Sequence, residues 1–466
     1  MINKLFLKQY FPISLKIVSL FAFVFLMIIG FSAHSTDASV LKHLRNTNLA
    51  NLFVWSYWWP FIIIFAIFFG RIWCMVCPVE LITSFFAKIG LQRKRPTWIL
   101  SGWAITIFYI IILLIGIQGF AIHRDPFFMA VYLLFIVGVS AVVGLIYEKN
   151  AFCQYFCPVG YLLAIYSKLS FFGWRVKNPK TCETCKDKSC IQKNYRYNLN
   201  SKSCGVDLYP ANIDDNSSCI LCAGCLKTCN QYKTIENGNR PNPQLTHIGF
   251  ANDLFKLKPF KIAEMVFVLI VSGFVISEIW SEWGITKSYL SYFPDRLISF
   301  FSFNNGIVNG LLEGITVFVL FPCIIWLIPF IISRLFGSVV SFKNYLLTYS
   351  IAFVPIIAAA HLCKAILKTT SRIPYLEHLF SDMTGNLTAR QIIDGQIVLQ
   401  GIPLWLNILV SILLSSFIIA GVWLSVGVVK RINIKTDERN SNKSFYLIPA
   451  LYGSIFLVMI LIWRWF

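Results

Sequence analysis

Nine long apolar stretches constrain the fold of this chain more than any other feature. A transmembrane helix needs about 20 consecutive apolar residues, because each residue advances the helix by about 1.5 Å and the hydrocarbon core is about 30 Å thick. Hydrophobic residues make up 57% of the 466 residues, which excludes a soluble globular protein. We therefore predict an α-helical polytopic membrane protein with about nine transmembrane helices. The predicted spans are residues 15–33, 52–70, 98–120, 127–147, 262–281, 307–333, 345–366, 403–428 and 446–463.

The basic residues predict how the chain is oriented. The net charge of +20 would suit a nucleic-acid partner, but Lys and Arg alternate with the spans and form no separate basic domain, so we expect no such partner. Cytoplasmic loops of membrane proteins are rich in Lys and Arg. An inward N-terminus places most of the 41 Lys and Arg on the inner side. We therefore predict a multi-pass protein of the bacterial cytoplasmic membrane, whose N-terminus and long segment 149–261 face the cytoplasm.

Eight of the 14 cysteines lie together in that long inner segment. Cys219 begins a run with the spacing Cys-x2-Cys-x2-Cys-x3-Cys, in which three thiolates bind one 4Fe-4S cluster and the fourth binds a second cluster. The preceding cysteines supply a matching set at wider spacing. The predicted pairing is crossed, with Cys182, Cys185, Cys190 and Cys229 on one cluster and Cys204, Cys219, Cys222 and Cys225 on the other. This predicts a small α+β ferredoxin-like segment with two 4Fe-4S clusters, inserted between membrane helices.

Structural zinc and disulfides are the two alternative uses of these cysteines. A zinc site takes its four ligands from two cysteine pairs, whereas this run has three cysteines followed by a trailing fourth. Disulfides belong to oxidising compartments, and the segment is predicted to face the reducing cytoplasm. The spacing therefore favours iron–sulfur clusters.

Two copies of a Cys-Pro motif end the second and fourth predicted spans. Each copy is followed by apolar residues at helical spacing, which predicts a duplicated two-span hairpin ending in an amphipathic interfacial helix. Proline suits the first position of a helix, so we expect Cys77 and Cys157 at helix N-termini, where the dipole lowers a thiol pKa. The motifs bring four cysteines to one membrane face, namely Cys74, Cys77, Cys153 and Cys157. They form a candidate third metal or cluster site or a redox-active dithiol pair, with buried packing as the alternative.

Together these motifs resemble the membrane-bound 4Fe-4S polyferredoxin family, which includes the NapH quinol dehydrogenase subunit, NosR and CcoG. The resemblance rests on Cys153–Pro158, on Cys74–Pro78 with one residue fewer, and on the eight ferredoxin cysteines, and it covers about residues 50–261. It implies electron transfer between the quinone pool or a cytoplasmic donor and a respiratory or other redox partner, as in a quinol dehydrogenase-type subunit. Some relatives serve in the maturation of copper enzymes, so the resemblance also implies a metal-handling alternative.

Five further spans follow residue 261, outside the resemblance. Glu313, His361 and Lys364 lie within them, where ionisable residues are costly enough to be functional candidates, so they form a candidate quinone or proton site. An ion pair between Glu313 and Lys364 is the structural alternative. Cys323 and Cys363 are predicted to be buried packing residues. A redox-sensing, transporter-like protein is a third functional hypothesis.

Haem b and flavin are not expected as cofactors. Haem b needs two axial histidines that face each other in the bilayer. Of the six histidines, only His361 lies clearly within a predicted span. The sequence from Asp382 to Thr388 matches a covalent-flavin motif only in part, because its spacing differs and the alanine is absent. An ordinary turn is predicted there.

Five regions are predicted along the chain. The first helix is expected to remain uncleaved, because its apolar run is long for a signal peptide. The regions are a first transmembrane helix with an outer loop (1–51), the duplicated hairpin core (52–173), the ferredoxin segment (174–235), a tether (236–261) and a five-helix membrane domain (262–466).

Overall fold

The computed structural model describes residues 2–33, 35–193, 197, 203–229, 242–301, 306–435 and 443–465. Most of these residues are helical. Parts of the predicted ferredoxin segment and of the predicted tether lie outside the described residues.

Seven described helices are long and apolar enough to cross a membrane, or eight if one bent pair forms a single span. The seven are Ile13–Ser32, Leu49–Phe69, Pro126–Ile146, Ile262–Trp280, Val308–Leu335, Leu404–Lys435 and Lys443–Trp465. The pair Phe342–Ala352 and Val354–Thr370 is bent by 44°. The predicted fold class, a helical polytopic membrane protein, is confirmed.

The third predicted span also departs from expectation. Thr97–Leu100 forms a separate turn of helix, and Gly102 has a φ of +89°. A left-handed residue ends a helix, so the apolar helix begins only at Trp103 and ends at Gly119, which makes it shorter than a standard span. The described residues therefore hold fewer full-length spans than the nine predicted.

Further helices, some of them short ones around the cysteines, lie between these spans. They are Ala38–Thr47, Ile72–Val76, Pro78–Ile89, Ala151–Tyr155, Pro158–Tyr166, Pro179–Glu183, Gly224–Thr228, Gly284–Phe301 and Asn386–Ile393. Strands β1 (Phe172–Val176) and β2 (Pro243–His247) form an antiparallel two-stranded sheet with Trp174 opposite Leu245.

The described chain forms two compact units. The first unit contains both Cys-Pro motifs and the eight ferredoxin cysteines, and the second contains Glu313, His361 and Lys364. The first comprises residues 1–27, 65–105 and 133–253, and the second comprises 28–64, 106–132 and 254–466. The division into five regions stays a prediction.

Both Cys-Pro motifs have the predicted local structure. Pro78 and Pro158 lie in the first turn of their helices, and Cys77 and Cys157 are the N-cap residues. Proline is favoured there because its φ is already helical and its missing N–H removes no hydrogen bond within the helix. Each motif is thus a break between two helices that presents a cysteine at a helix N-terminus.

A buried ion pair joins helix Ile13–Ser32 to helix Pro78–Ile89 within the first unit. Lys16 and Glu80 are in direct contact and are 3% and 1% exposed. The side-chain amide of Asn150 donates to Glu80 Oε1 over 2.6 Å, and the Ser84 hydroxyl donates to the same oxygen over 3.1 Å. Both carboxylate oxygens of Glu80 therefore have donors, as a buried charge requires.

Replacing Lys16 with Met should destabilise the protein by about 3 kcal/mol, because Glu80 is left buried without its cation. The double variant Lys16→Met, Glu80→Gln removes both charges and should recover most of the loss. Thermal unfolding in detergent, followed by tryptophan fluorescence, measures both, with the exposed Lys4→Met as the control. A double variant no more stable than Lys16→Met would contradict the pairing.

Candidate functional site

Four cysteines of the ferredoxin segment line one pocket in the first unit, namely Cys204, Cys219, Cys222 and Cys225. The other lining residues are mostly apolar and include Trp174, Val206 and Ile213. Burial raises the pKa of the Cys219 thiol to about 12, with smaller contributions from Cys222 and Cys204. A mostly apolar pocket lined by four thiols offers the ligands that a 4Fe-4S cluster takes.

The backbone of this cysteine run adopts a left-handed conformation at two residues that are not glycine. Leu221 and Ala223 have φ values of +54° and +58°, which cost a residue with a Cβ roughly 1–2 kcal/mol each. Left-handed residues beside right-handed ones turn successive N–H groups to one side, which is how backbone nests surround anions and iron–sulfur centres. Two left-handed residues this close together are consistent with a ligand site at this run.

Two side-chain N–H groups donate to sulfur atoms of the segment. Trp174 Nε1 donates to Cys225 Sγ over 2.9 Å, and Asn242 Nδ2 donates to Cys182 Sγ over 3.0 Å. Hydrogen bonds to ligand sulfurs tune the potential of a cluster. Sequence reasoning missed both donors, because they lie outside the cysteine run and meet it only through the β1–β2 sheet and its flank.

The other four cysteines form a separate group in the same unit. Burial raises the pKa of the Cys190 thiol to about 12, with contributions from Cys229, Cys182 and Cys185. The structure thus places Cys229 beside the first three cysteines and Cys204 beside the later three. Their role as ligands of two clusters stays a prediction.

The thiols surround spaces rather than a single point. Among the described residues, no three His, Cys, Asp or Glu side chains are placed to hold one metal ion. A zinc ion needs its sulfur donors about 2.3 Å away. The described thiols therefore form no preassembled single-ion site.

The four cysteines of the Cys-Pro motifs also lie together. Burial raises the pKa of the Cys153 thiol, and the Cys157, Cys77 and Cys74 thiols are close enough to raise it further. Burial raises the pKa of Cys157 to about 11 and also raises that of Cys77, so the predicted lowering of both is wrong. The helix N-termini do favour the thiolate, since the Gly160 N–H donates to Cys157 Sγ over 3.3 Å, but the loss of water has the larger effect.

His361 and Lys364 line a second pocket, which lies in the second unit. Lys364 Nζ lies 3.2 Å from Glu278 Oε2 and 2.6 Å from Glu282 Oε1. The alternative pair of Glu313 and Lys364 is therefore wrong, because the two nearer glutamates are one helical turn apart and meet Lys364 together. Glu313 is not among the described residues that line this pocket, which include Trp55, Trp59, His123, Phe274, Glu278 and Lys368.

Three smaller predictions have definite outcomes. Cys363 is 0% exposed, as predicted, whereas Cys323 is only half-buried, since its helix Val308–Leu335 buries just a third of its apolar window. Asp382 accepts hydrogen bonds from the N–H groups of Gly385 and Thr388 over 3.0 and 2.8 Å. The segment compared with a flavin motif therefore forms the predicted turn.

Comparison with known proteins points to the Cys-Pro hairpins. A family model described as a 4Fe-4S binding domain matches residues 51–97 and 129–180. These regions contain the four Cys-Pro cysteines and none of the eight ferredoxin cysteines. The match supports ferredoxin-type iron–sulfur binding in a chain with several membrane-spanning helices.

The chain is also similar to two uncharacterized proteins of Methanocaldococcus jannaschii. It is 26% identical to one over 174 residues and 24% identical to the other over 186 residues, each match covering 36% of this chain. The matched part spans 64% of the first relative and 72% of the second. No solved structure matches the chain.

Gly160→Ala should destabilise the protein by about 1–3 kcal/mol, because the added Cβ would lie 3.2 Å from the Cys153 carbonyl oxygen, which is backbone and cannot yield easily. The matched control is Gly138→Ala, whose Cβ would meet nothing within 4 Å and should be neutral or stabilising in its helix. Thermal unfolding in detergent compares the two variants. Equal unfolding temperatures would show that the site tolerates the methyl group.

Proposed function

We propose that this chain is an integral membrane electron carrier that passes electrons between the quinone pool or a cytoplasmic donor and a redox partner. One observation carries the proposal: the regions that match a 4Fe-4S binding domain contain four cysteines whose thiols the fold brings together. The resemblance to membrane-bound polyferredoxins supports the same function. The resident chemistry is one-electron reduction and reoxidation of iron–sulfur clusters.

Two clusters belong to the ferredoxin segment. The pocket lined by Cys204, Cys219, Cys222 and Cys225 holds one of them, and the group Cys182, Cys185, Cys190 and Cys229 holds the other. Positive φ at Leu221 and Ala223 supports the first assignment, because left-handed residues occur in the backbone nests that surround iron–sulfur centres. Trp174 donates a hydrogen bond to Cys225 in the first ligand set, and Asn242 donates one to Cys182 in the second.

A third cluster belongs to Cys74, Cys77, Cys153 and Cys157. Each hairpin contributes two thiols, so the duplication supplies the four ligands that a 4Fe-4S cluster needs. Burial keeps these thiols protonated until metal binds, and the metal cations then replace the protons. The backbone N–H of Gly160 stabilises the Cys157 thiolate that results.

The pocket of the second unit handles a quinone head group or its protons. It combines His361 and Lys364 with a second histidine, His123, whose buried Nδ1 has no hydrogen-bond partner among the described residues. The indole N–H of Trp55 is likewise buried and unpartnered within the described chain. Polar groups of this kind, placed at membrane helices, are costly without a ligand to satisfy them.

The inner face, with the N-terminus and the ferredoxin segment, is cytoplasmic in a bacterial cell.

A metal-handling factor is the second candidate function. Soft metals such as copper(I) prefer thiolate ligands, and the Cys-Pro cysteines offer four neighbouring thiols. In that case the Cys-Pro site would load a copper enzyme, and its loss would leave quinol-dependent electron transfer intact. A redox-sensing transporter would instead need residues 262–466 for its activity while electron transfer survived their deletion.

Protein purified without oxygen should contain about 12 iron atoms per chain, four for each of three clusters. The variant Cys153→Ser, Cys157→Ser should lose about four of them, whereas Cys323→Ser should lose none. Iron and sulfide assays, with electron paramagnetic resonance of the reduced protein, make the measurement. Full iron content in the double variant would contradict the third cluster, and copper in place of iron at this site would support the metal-handling function.

Trp174→Phe should move the potential of the cluster at Cys225 to a more negative value, because it removes a hydrogen bond that stabilises the reduced state. One hydrogen bond contributes about 1 kcal/mol, so the ratio of reduced to oxidised cluster should fall about fivefold at a fixed ambient potential. Spectroscopic redox titration measures the ratio. The cluster at Cys182 is the internal control, and an equal shift in both clusters would point to a general loss of structure instead.

A further inference from the structure

We infer that Arg71 is the shared counter-charge of two iron–sulfur centres, the one in the pocket of Cys219 and the one at the Cys-Pro cysteines. The inference rests on the proposed function and deepens it. It concerns a residue to which neither the motifs nor the comparisons assign a role. Its basis is the burial of an arginine whose charge the described protein does not balance.

Arg71 is buried although arginine is always charged in proteins. Arg71 as a whole is only 5% exposed. Its Nη1 donates to the Ser217 carbonyl oxygen over 2.9 Å, while its buried Nε has no acceptor among the described residues. Over the same residues, no carboxylate forms an ion pair with its guanidinium. A buried charge without a partner is strongly unfavourable, so an anion is required beside it.

Two other arginines of the first unit, Arg175 and Arg95, are paired with carboxylates. Arg175 Nη2 donates to both carboxylate oxygens of Asp253 over 2.7 Å. Arg95 contacts the carboxylate of Asp207. Arg71 is more buried than Arg175 or Arg95, yet among the described residues its acceptor is one backbone carbonyl oxygen. The difference lies in what surrounds it.

Arg71 lies near one thiol of each group, Cys157 and Cys219. A Cβ at Gly160 would lie 3.2 Å from Arg71 Nη2 and 3.5 Å from Cys157 Sγ, so the guanidinium lies beside the Cys-Pro site. Its acceptor, Ser217, stands two residues before Cys219 in the chain. The positive charge of Arg71 opposes the burial effect on the pKa of both Cys157 and Cys219. One cation thus acts on a ligand of each centre.

The physical consequence follows from the charge of a cluster. A 4Fe-4S cluster with four thiolates is anionic in both oxidation states, and the added electron makes it more so without forming or breaking a bond. A fixed cation therefore stabilises the reduced state of each centre more than the oxidised state. It also reduces the repulsion between two anionic centres in one low-dielectric region. Arg71 is accordingly a positioning residue for electron transfer between them.

The test uses the full-length protein, purified without oxygen with its iron, in four forms: unsubstituted, Arg71→Gln, Arg71→Lys and Arg93→Gln. Arg93 is an exposed arginine of the same unit, so its loss is the matched control. Redox titration followed by electron paramagnetic resonance reports each centre. The signals are assigned with the Cys153→Ser, Cys157→Ser and Trp174→Phe variants.

Arg71→Gln should lower the ratio of reduced to oxidised cluster about tenfold at both neighbouring centres, which is about 59 mV for a one-electron couple. In Arg71→Gln, the ratio at the centre of Cys182 should stay within about threefold of the unsubstituted protein, because that centre is distant from the lost charge. In Arg71→Lys and Arg93→Gln, the ratios at all centres should stay within the same limit, because the first variant keeps the charge and the second removes a charge that solvent screens. If Arg71→Gln loses iron while Arg71→Lys keeps it, the need for the charge is supported.

Three results would overturn the inference. The first is unchanged ratios at both centres in an iron-replete Arg71→Gln protein. The second is an equal shift in Arg71→Lys and Arg71→Gln, which would assign the effect to hydrogen-bond geometry, and the third is loss of iron from both variants. An unsubstituted protein without iron–sulfur signals would reject the proposed function itself, before the variants are compared.

Discussion

The exclusion of water from sulfur and charge is the constraint on which the first unit depends. Burial raises the pKa of Cys153, Cys190 and Cys219, one thiol in each of its three cysteine groups, so these thiols stay neutral when no metal is bound. Charges in the same unit need explicit partners. Glu80 has Lys16, Asn150 and Ser84, whereas Arg71 has one carbonyl oxygen. Metal binding would reverse the balance, since thiolates form and a cation beside them becomes favourable.

The two Cys-Pro motifs share one local structure, and the ferredoxin segment arranges its cysteines differently. Each hairpin repeats a helix, a break at a Cys-Pro pair and a second helix, so two modest motifs supply one set of four thiols. The ferredoxin segment draws its two sets from a single stretch that doubles back on itself. The ferredoxin segment has left-handed residues within its cysteine run, at Leu221 and Ala223, whereas each Cys-Pro motif has proline at a helix start.

Features set by local chemistry could be read from the sequence, and features set by packing could not. Apolar runs predicted the helices, and Pro78 and Pro158 predicted the helix starts, because length and a fixed φ act locally. Gly102 divided a predicted span through a positive φ that the pattern did not reveal. The predictions of the thiol pKa values and of the partner of Lys364 were wrong, because both depend on residues that are distant in the sequence. Arg71 was overlooked for the same reason.

The interleaving of the two ferredoxin cysteine groups bears on the order of biosynthesis. Cys204 belongs with residues that follow it, and Cys229 belongs with residues that precede it by some distance along the chain. On the proposed ligation, neither set is complete until translation has reached the end of the segment: Cys225 closes one set and Cys229 the other. The insertion of complete clusters into this segment would thus follow the synthesis of the two hairpins that precede it.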